Sequence, residues 1–219
     1  MRELQSRMPI KIDIGAIYSD APKDRKRCTT LKPLQRELVF DIDMTDYDEV
    51  RTCCSEADIC PKCWKFMAIA CKIIDVALRE DFGLNNLLWV FSGRRGIHCW
   101  VCDRSVVGRD DAQRSAIAEY LQVVRGGANE PKKVYLPSEK VHSSIRRAVA
   151  IIKPYFVGMI IKEQNVLGTN KGLGAFLSVI DNEYRVKFEG VMSKGTTSEE
   201  RWRRFENYYD ELHSKVEMI

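Results

Sequence analysis

The sequence predicts an α/β protein, with a strand-rich first half built on a mixed sheet and a helical second half. Three observations carry that expectation. Runs of β-branched and aromatic residues recur between residues 11 and 101. A helical apolar period dominates after residue 103. Glycine and proline mark the joints between segments. At 219 residues and 45% hydrophobic content, the chain can bury one substantial core, or a core with a small appendage.

Residues 11–19 (KIDIGAIYS) alternate and read as a strand. Residues 20–33, with Pro, Lys, Arg and Thr, read as a loop. Residues 36–43 form a strong strand, and Leu38, Val39, Phe40 and Ile42 predict a central, buried one. Residues 61–82 predict a helix. Pro61 suits its first position, Phe66, Ala70, Ile73, Ile74 and Ala77 form an apolar stripe, and Gly83 supplies the stop. Residues 87–91 and 97–101 predict two strands joined by the turn Ser92-Gly93-Arg94-Arg95-Gly96. Residues 109–124 predict an amphipathic helix ended by Gly126-Gly127. Residues 141–164 predict a helix bent or broken before Pro154. Residues 168–174 read as a glycine-rich linker, and residues 198–215 as a last helix with Trp202, Phe205, Tyr209 and Leu212 on its apolar face. Two units follow: residues 1–108, with a cysteine motif at 53–63, and a helical unit over 109–219 whose tail after 168 is expected to be loosely held. No internal repeat or low-complexity segment interrupts them.

Charged residues make up 30% of the chain and the formal net charge is +4, which permits nucleic acid as a partner without demanding it. No apolar run is long enough to span a bilayer, so no membrane role is expected. The first residues (MRELQSRMPIKID) lack the apolar core of a secretory signal. A reducing compartment is therefore expected for the eight cysteines, and there clustered cysteines point to metal rather than disulfides.

Three clusters carry chemistry. Asp41 and Asp43 are two apart on a strand, so both carboxylates leave one face. Two buried like charges repel and lose solvation, and a divalent cation such as Mg²⁺ removes both costs. Spacing alone divides evenly between that site and a strand end fraying into solvent beside Asp46 and Asp48. Cys53, Cys54, Cys60 and Cys63 give a C-C-x5-C-x2-C pattern suited to a structural zinc ion with four sulfurs. The pair Cys99 and Cys102 reads as core, because the two alternate on a strand, while Cys28 and Cys71 read as bystanders. The glycines of the 92–96 turn allow its amides to face an anion, and Arg94 and Arg95 present planar forks to phosphate oxygens. His98 shares strand parity with Trp100 just after that turn, which favours a functional role over a structural one. A solvated basic hairpin is the competing picture for the arginines.

The order and spacing of these motifs resemble the small, catalytic subunit of the archaeal and eukaryotic replicative DNA primase, most closely the eukaryotic form. The resemblance rests on VFDIDMTDYD (residues 39–48), the cysteine cluster through Cys63-Trp64, EDFG (80–83), FSGRRGIHCWVCD (91–103) and the KIDIGAIYS strand. It is strong over 11–103 and vague beyond. It implies a mixed-sheet catalytic core of the archaeo-eukaryotic primase type with a zinc loop and a helical subdomain. It also implies synthesis of short RNA primers from ribonucleoside triphosphates on a single-stranded DNA template. Asp41 and Asp43 would hold two catalytic Mg²⁺ or Mn²⁺ ions, and Ser92, Arg94, Arg95 and His98 would grip the nucleotide phosphates. Asp13 would approach the sugar, and Cys53, Cys54, Cys60 and Cys63 would bind the structural Zn²⁺. The implied partners are the primase large subunit and the DNA polymerase alpha complex, in the nucleus.

The family also has a helical segment ahead of the first strand, and a third catalytic aspartate on a strand well downstream of the turn. Neither is found here. The chain is therefore expected to be truncated at both ends and, alone, to be weak or inactive. The rival expectations are a non-catalytic zinc-stabilised module, a primase-polymerase or repair-ligase polymerase domain, and a zinc-ribbon DNA-binding protein.

Overall fold

Alternation of apolar and polar residues along three strands decides where the core sits. The computed structural model describes residues 2–10, 12–27, 30–122, 124–125, 133–134 and 141–216. In chain order the elements begin with α1 (Arg2–Arg7), β1 (Ile17–Tyr18), β2 (Pro33–Gln35), β3 (Leu38–Asp43), α2 (Pro61–Phe82), β4 (Leu87–Phe91) and β5 (Gly96–Val101). They continue with α3 (Arg104–Val107), α4 (Asp111–Leu121), β6 (Val124–Arg125), β7 (Lys133–Val134), α5 (Ser143–Phe156), α6 (Asn170–Ser178), α7 (Asn182–Met192) and α8 (Ser198–Val216). A π-helix (Val157–Glu163) continues α5, and 3-10 turns occupy Pro22–Asp24, Met44–Tyr47 and Val166–Gly168.

The main sheet has the order β3-β5-β4, with both neighbours antiparallel to β5. Strands β3 and β4 therefore run the same way, joined by α2, with β5 inserted between them. One face is apolar. Leu38, Ile42, Ile97, Cys99 and Val101 are buried on it and share clusters with Phe66, Met67, Ile69 and Leu78 of α2. Trp89 adds a polar tie, its Nε1 donating to Asp75 Oδ1 at 3.1 Å. Arg114 of α4 fastens the approach to β3 by donating to the carbonyl of Glu37 at 3.0 Å.

Several expectations need correction. Among the described residues every strand pair is antiparallel, not mixed; the tight turn joining β4 to β5 imposes this on that pair. Strand β3 is an edge strand rather than a central one. Leu38, Phe40 and Ile42 serve the face against α2, while Val39 lies with Asp41 on the opposite, open face. The 11–19 strand contracts to Ile17–Tyr18, paired with β2, and Ile12, Ile14 and Ile17 are exposed; Lys11 lies outside the described residues. Cys102 is exposed, one residue beyond the end of β5, whereas Cys99 is fully buried.

Helix α2 has the expected bounds. Gly83 ends it in the left-handed region, at φ 66°, and donates to the carbonyls of Arg79 and Leu78. Helix α4 stops at Leu121, while Gly126-Gly127 and Cys28 lie outside the described residues. Helix α5 does not break before Pro154. It passes through, and the backbone then widens into the π-helix, where Gln164 N donates to Met159 O at 2.9 Å. Pro154 lacks an N–H, so the helical bond to the Ala150 carbonyl is missing there, yet the helix continues.

The glycine-rich run is helical rather than a linker. Thr169 caps α6 by accepting from Gly172 N at 3.0 Å. A Cβ on Gly172 would overlap the Val166 carbonyl, so this glycine serves close approach rather than flexibility. Helices α1, α3 and α7 were not anticipated, and α1 stands ahead of the first strand, where no helical segment was read from the sequence. Ile161, Leu167, Leu173, Leu177, Phe188 and Met192 form a further buried cluster, with Trp202 and Phe205 packed against it.

Candidate functional site

The polar face of the sheet carries the expected site residues. Asp41 lies opposite His98 in the β3–β5 register, and His98 Nε2 is 3.3 Å from Asp41 Oδ1. The Asp41 side chain is 72% exposed. An open cleft of about 670 Å³ brings Asp13, Asp41, Ser92 and His98 together, with Val39 and Trp100 in its wall.

Asp43 leaves the same face in different company. It caps the 3-10 turn after β3, and its Oδ1 accepts from Thr45 N at 2.9 Å and Thr45 Oγ1 at 2.7 Å. Arg95 Nε donates to both oxygens, at 2.8 and 2.9 Å. The Arg95 hydrogen bond, reinforced by Thr45 against partial burial, lowers the Asp43 pKa to about 2. One carboxylate of the pair is thus open, and the other is neutralised by an arginine from the turn.

The turn is built on two glycines. Gly93 takes φ 93°, a region closed to most side chains. A Cβ on Gly96 would sit 2.6 Å from the Ile42 carbonyl, so glycine lets β5 approach β3 closely there. Ser92 Oγ accepts from Gly96 N at 3.0 Å, and Met44 N donates to Arg95 O at 3.2 Å. The turn therefore holds Ser92 at the cleft and Arg95 on Asp43, while Arg94 is exposed.

The cysteines form a second centre. The sulfurs of Cys53, Cys54, Cys60 and Cys63 all lie within 4.8 Å of one another. Cys60 and Cys63 are 3.9 Å apart, against roughly 3.8 Å for two sulfurs on a tetrahedral zinc with ~2.3 Å bonds. The donor set fits zinc. The Cys63 backbone N–H, at the start of α2, draws the Cys60 thiol down to about 6. Loss of solvation pushes Cys54 up to about 12 and raises Cys53 as well. Cys71 packs on the same hydrophobic cluster without joining the sulfur group, and Cys99 is buried in another cluster.

Two residues around the cysteines went unnoticed in the sequence. Arg51 is buried. Its Nε donates to Asp48 Oδ1 at 2.6 Å, its Nη1 to Asp58 O at 2.7 Å and its Nη2 to Glu56 O at 3.0 Å. Nη1 also stands 3.8 Å from Cys63 Sγ. Gln164 is fully buried. It accepts from Thr52 N through Oε1 at 2.7 Å and donates through Nε2 to Cys53 Sγ at 3.4 Å. No spacing rule marks a lone arginine or glutamine; only their burial beside the cysteines does. Among the described residues, no helix is long and apolar enough to cross a membrane.

The comparisons with known proteins agree with one another. Residues 40–215 match the family model for the DNA primase small subunit. The chain is 45% identical to the DNA primase small subunit of Drosophila melanogaster, over 98% of this chain and 51% of that protein. It is 42% identical to that of Schizosaccharomyces pombe, over 83% of this chain and 41% of the relative. It is 46% identical to that of Saccharomyces cerevisiae, over 74% of this chain and 40% of the relative. The chain spans about half the length of the curated relatives it matches.

Proposed function

Because the chain belongs to the DNA primase small-subunit family, we propose that its open sheet face is the metal and nucleotide site for synthesising RNA primers on single-stranded DNA. The observation that carries this reading is the convergence of Asp41, Ser92 and His98 on one cleft, beside the Asp43–Arg95 pair.

Asp41 and Asp43 are the carboxylates that would hold Mg²⁺ or Mn²⁺. Bound there, such ions supply activation of a 3′-hydroxyl and neutralisation of the leaving pyrophosphate. Arg95 now neutralises Asp43. Were Asp43 to serve as a metal ligand, its Arg95 guanidinium would be free to meet phosphate oxygens, alongside Arg94, Ser92 and His98. Asp13 lies in the same cleft and would approach the sugar of a ribonucleoside triphosphate. Positioning and charge neutralisation do the work, and no protein nucleophile is required. The four cysteines hold a structural zinc. Residues 1–108 act as the catalytic core and 109–219 as a helical subdomain. The partners are the primase large subunit and the DNA polymerase alpha complex, in the nucleus.

The test is primer synthesis on single-stranded DNA with ribonucleotides and Mg²⁺ or Mn²⁺, comparing the chain with an Asp41→Ala, Asp43→Ala variant. Short RNA products confined to the unmodified chain support the reading. Equal products from the variant contradict it. A second reading, a module that binds nucleotide or the large subunit without chemistry, is favoured by the full engagement of Asp43. Metal-dependent nucleotide binding without RNA product would select it.

A further inference from the structure

Gln164 lies more than a hundred residues from the cysteine loop in sequence, yet it meets that loop at three points. Oε1 accepts from Thr52 N at 2.7 Å, the Gln164 carbonyl accepts from the Thr52 hydroxyl, and Nε2 donates to Cys53 Sγ at 3.4 Å. The amide orientation follows from chemistry, because Thr52 N–H needs an acceptor and so turns the NH₂ group toward sulfur. The side chain is fully buried, so neither end can turn to water. Gln164 also closes the π-helix, through its backbone N–H to Met159 O at 2.9 Å.

We infer that Gln164 is an outer-sphere residue of the four-cysteine metal site, and that it ties metal binding to the π-helix following α5. The inference rests on the reading of the cysteines as a metal site. A hydrogen bond to a metal-bound thiolate disperses its charge and fixes its direction, and loss of such a partner weakens metal binding. A four-thiolate site around a divalent ion carries excess negative charge, which Arg51 offsets near Cys63 and the Gln164 NH₂ offsets at Cys53. Because the same residue closes the π-turn, the metal state reaches residues 157–164 without any ligand coming from them.

The test uses the zinc-loaded chain and three variants. Gln164→Met keeps volume and loses both side-chain hydrogen bonds. Gln164→Glu keeps the acceptor and loses the donor to sulfur. Thr52→Val removes one loop contact and leaves the Cys53 bond intact. Chelator competition is expected to show zinc held on the order of 10-fold more weakly in both Gln164 variants. Thr52→Val is expected to stay near the unmodified chain. With Co²⁺ in place of zinc, the sulfur-to-metal absorption band is expected to shift in the Gln164 variants alone, a change that a packing role would not produce. Amide exchange at 157–164 is expected to rise on zinc removal in the unmodified chain. Unchanged affinity and an unchanged cobalt band in Gln164→Glu would overturn the inference. An unmodified chain that holds no zinc would overturn the reading of the cysteines, and this inference with it.

Discussion

Asp41 and Asp43 show how two identical side chains on one strand face come to hold charge differently. Their spacing and shared direction were legible in the sequence, since a strand alternates. Which of them would be neutralised by an arginine was not, because that depends on a turn more than fifty residues away folding Arg95 back over β3. The pairing has a pH signature. Arg95 stabilises the ionised form of Asp43 in the folded chain, so its contribution is complete above the ordinary value of 3.8 and fades as pH falls through about 2. A carboxyl-carbon NMR titration of the metal-free chain should therefore show Asp43 titrating near 2. Arg95→Ala should move that midpoint up toward 3.8; an unmoved midpoint would mean that Arg95 does not hold the carboxylate. The cysteine cluster was likewise legible from spacing, but Arg51 and Gln164 were not, because outer partners follow no local pattern.

At the scale of elements, α2 was fully legible, since its proline start, apolar stripe and glycine stop all lie within its own sequence. Helix α6 was not, because glycine content suggests flexibility and says nothing of close approach. Two substitutions separate those meanings. Gly174 has open space where a Cβ would go, so Gly174→Ala should stabilise α6 by roughly 0.5–1 kcal/mol, the helix-propensity difference. Gly172 faces the Val166 carbonyl, so Gly172→Ala should destabilise by about 1–3 kcal/mol. Denaturant melts of both variants decide the matter, and equal effects would contradict the account. The junction of α2 with α5 gives a further prediction. Arg147 Nη1 donates to Asp81 Oδ1 at 3.0 Å and holds that carboxyl below its ordinary value of 3.8. The stability it adds is present above 3.8 and is lost as pH falls through the lowered folded value. Asp81→Asn should therefore lower thermal stability at neutral pH and flatten its acid dependence below pH 4; parallel pH profiles for variant and parent would refute the linkage.

For the whole molecule, the division of labour follows from a sheet with one dry face and one open face. The dry face packs on α2, whose N-cap is Cys60 and whose first turn carries Cys63, while the open face presents carboxylates, a histidine and an arginine turn. The α/β class and the shared face of Asp41 and Asp43 were legible, because both are written in local alternation and spacing. The edge position of β3 and the antiparallel pairing were not, since strand order is set by long-range contact. Leu88, Val90, Ile12 and Ile14 remain exposed around the cleft, so apolar surface borders the charged groups. The central claim is that this face binds metal and nucleotide together. The most direct measurement is calorimetric titration of ATP into the zinc-loaded chain with and without Mg²⁺, repeated with Asp41→Ala, Asp43→Ala and with Arg94→Ala, Arg95→Ala. The account predicts Mg²⁺-dependent binding that both double variants abolish. Binding that ignores Mg²⁺, or that survives in both variants, would contradict it.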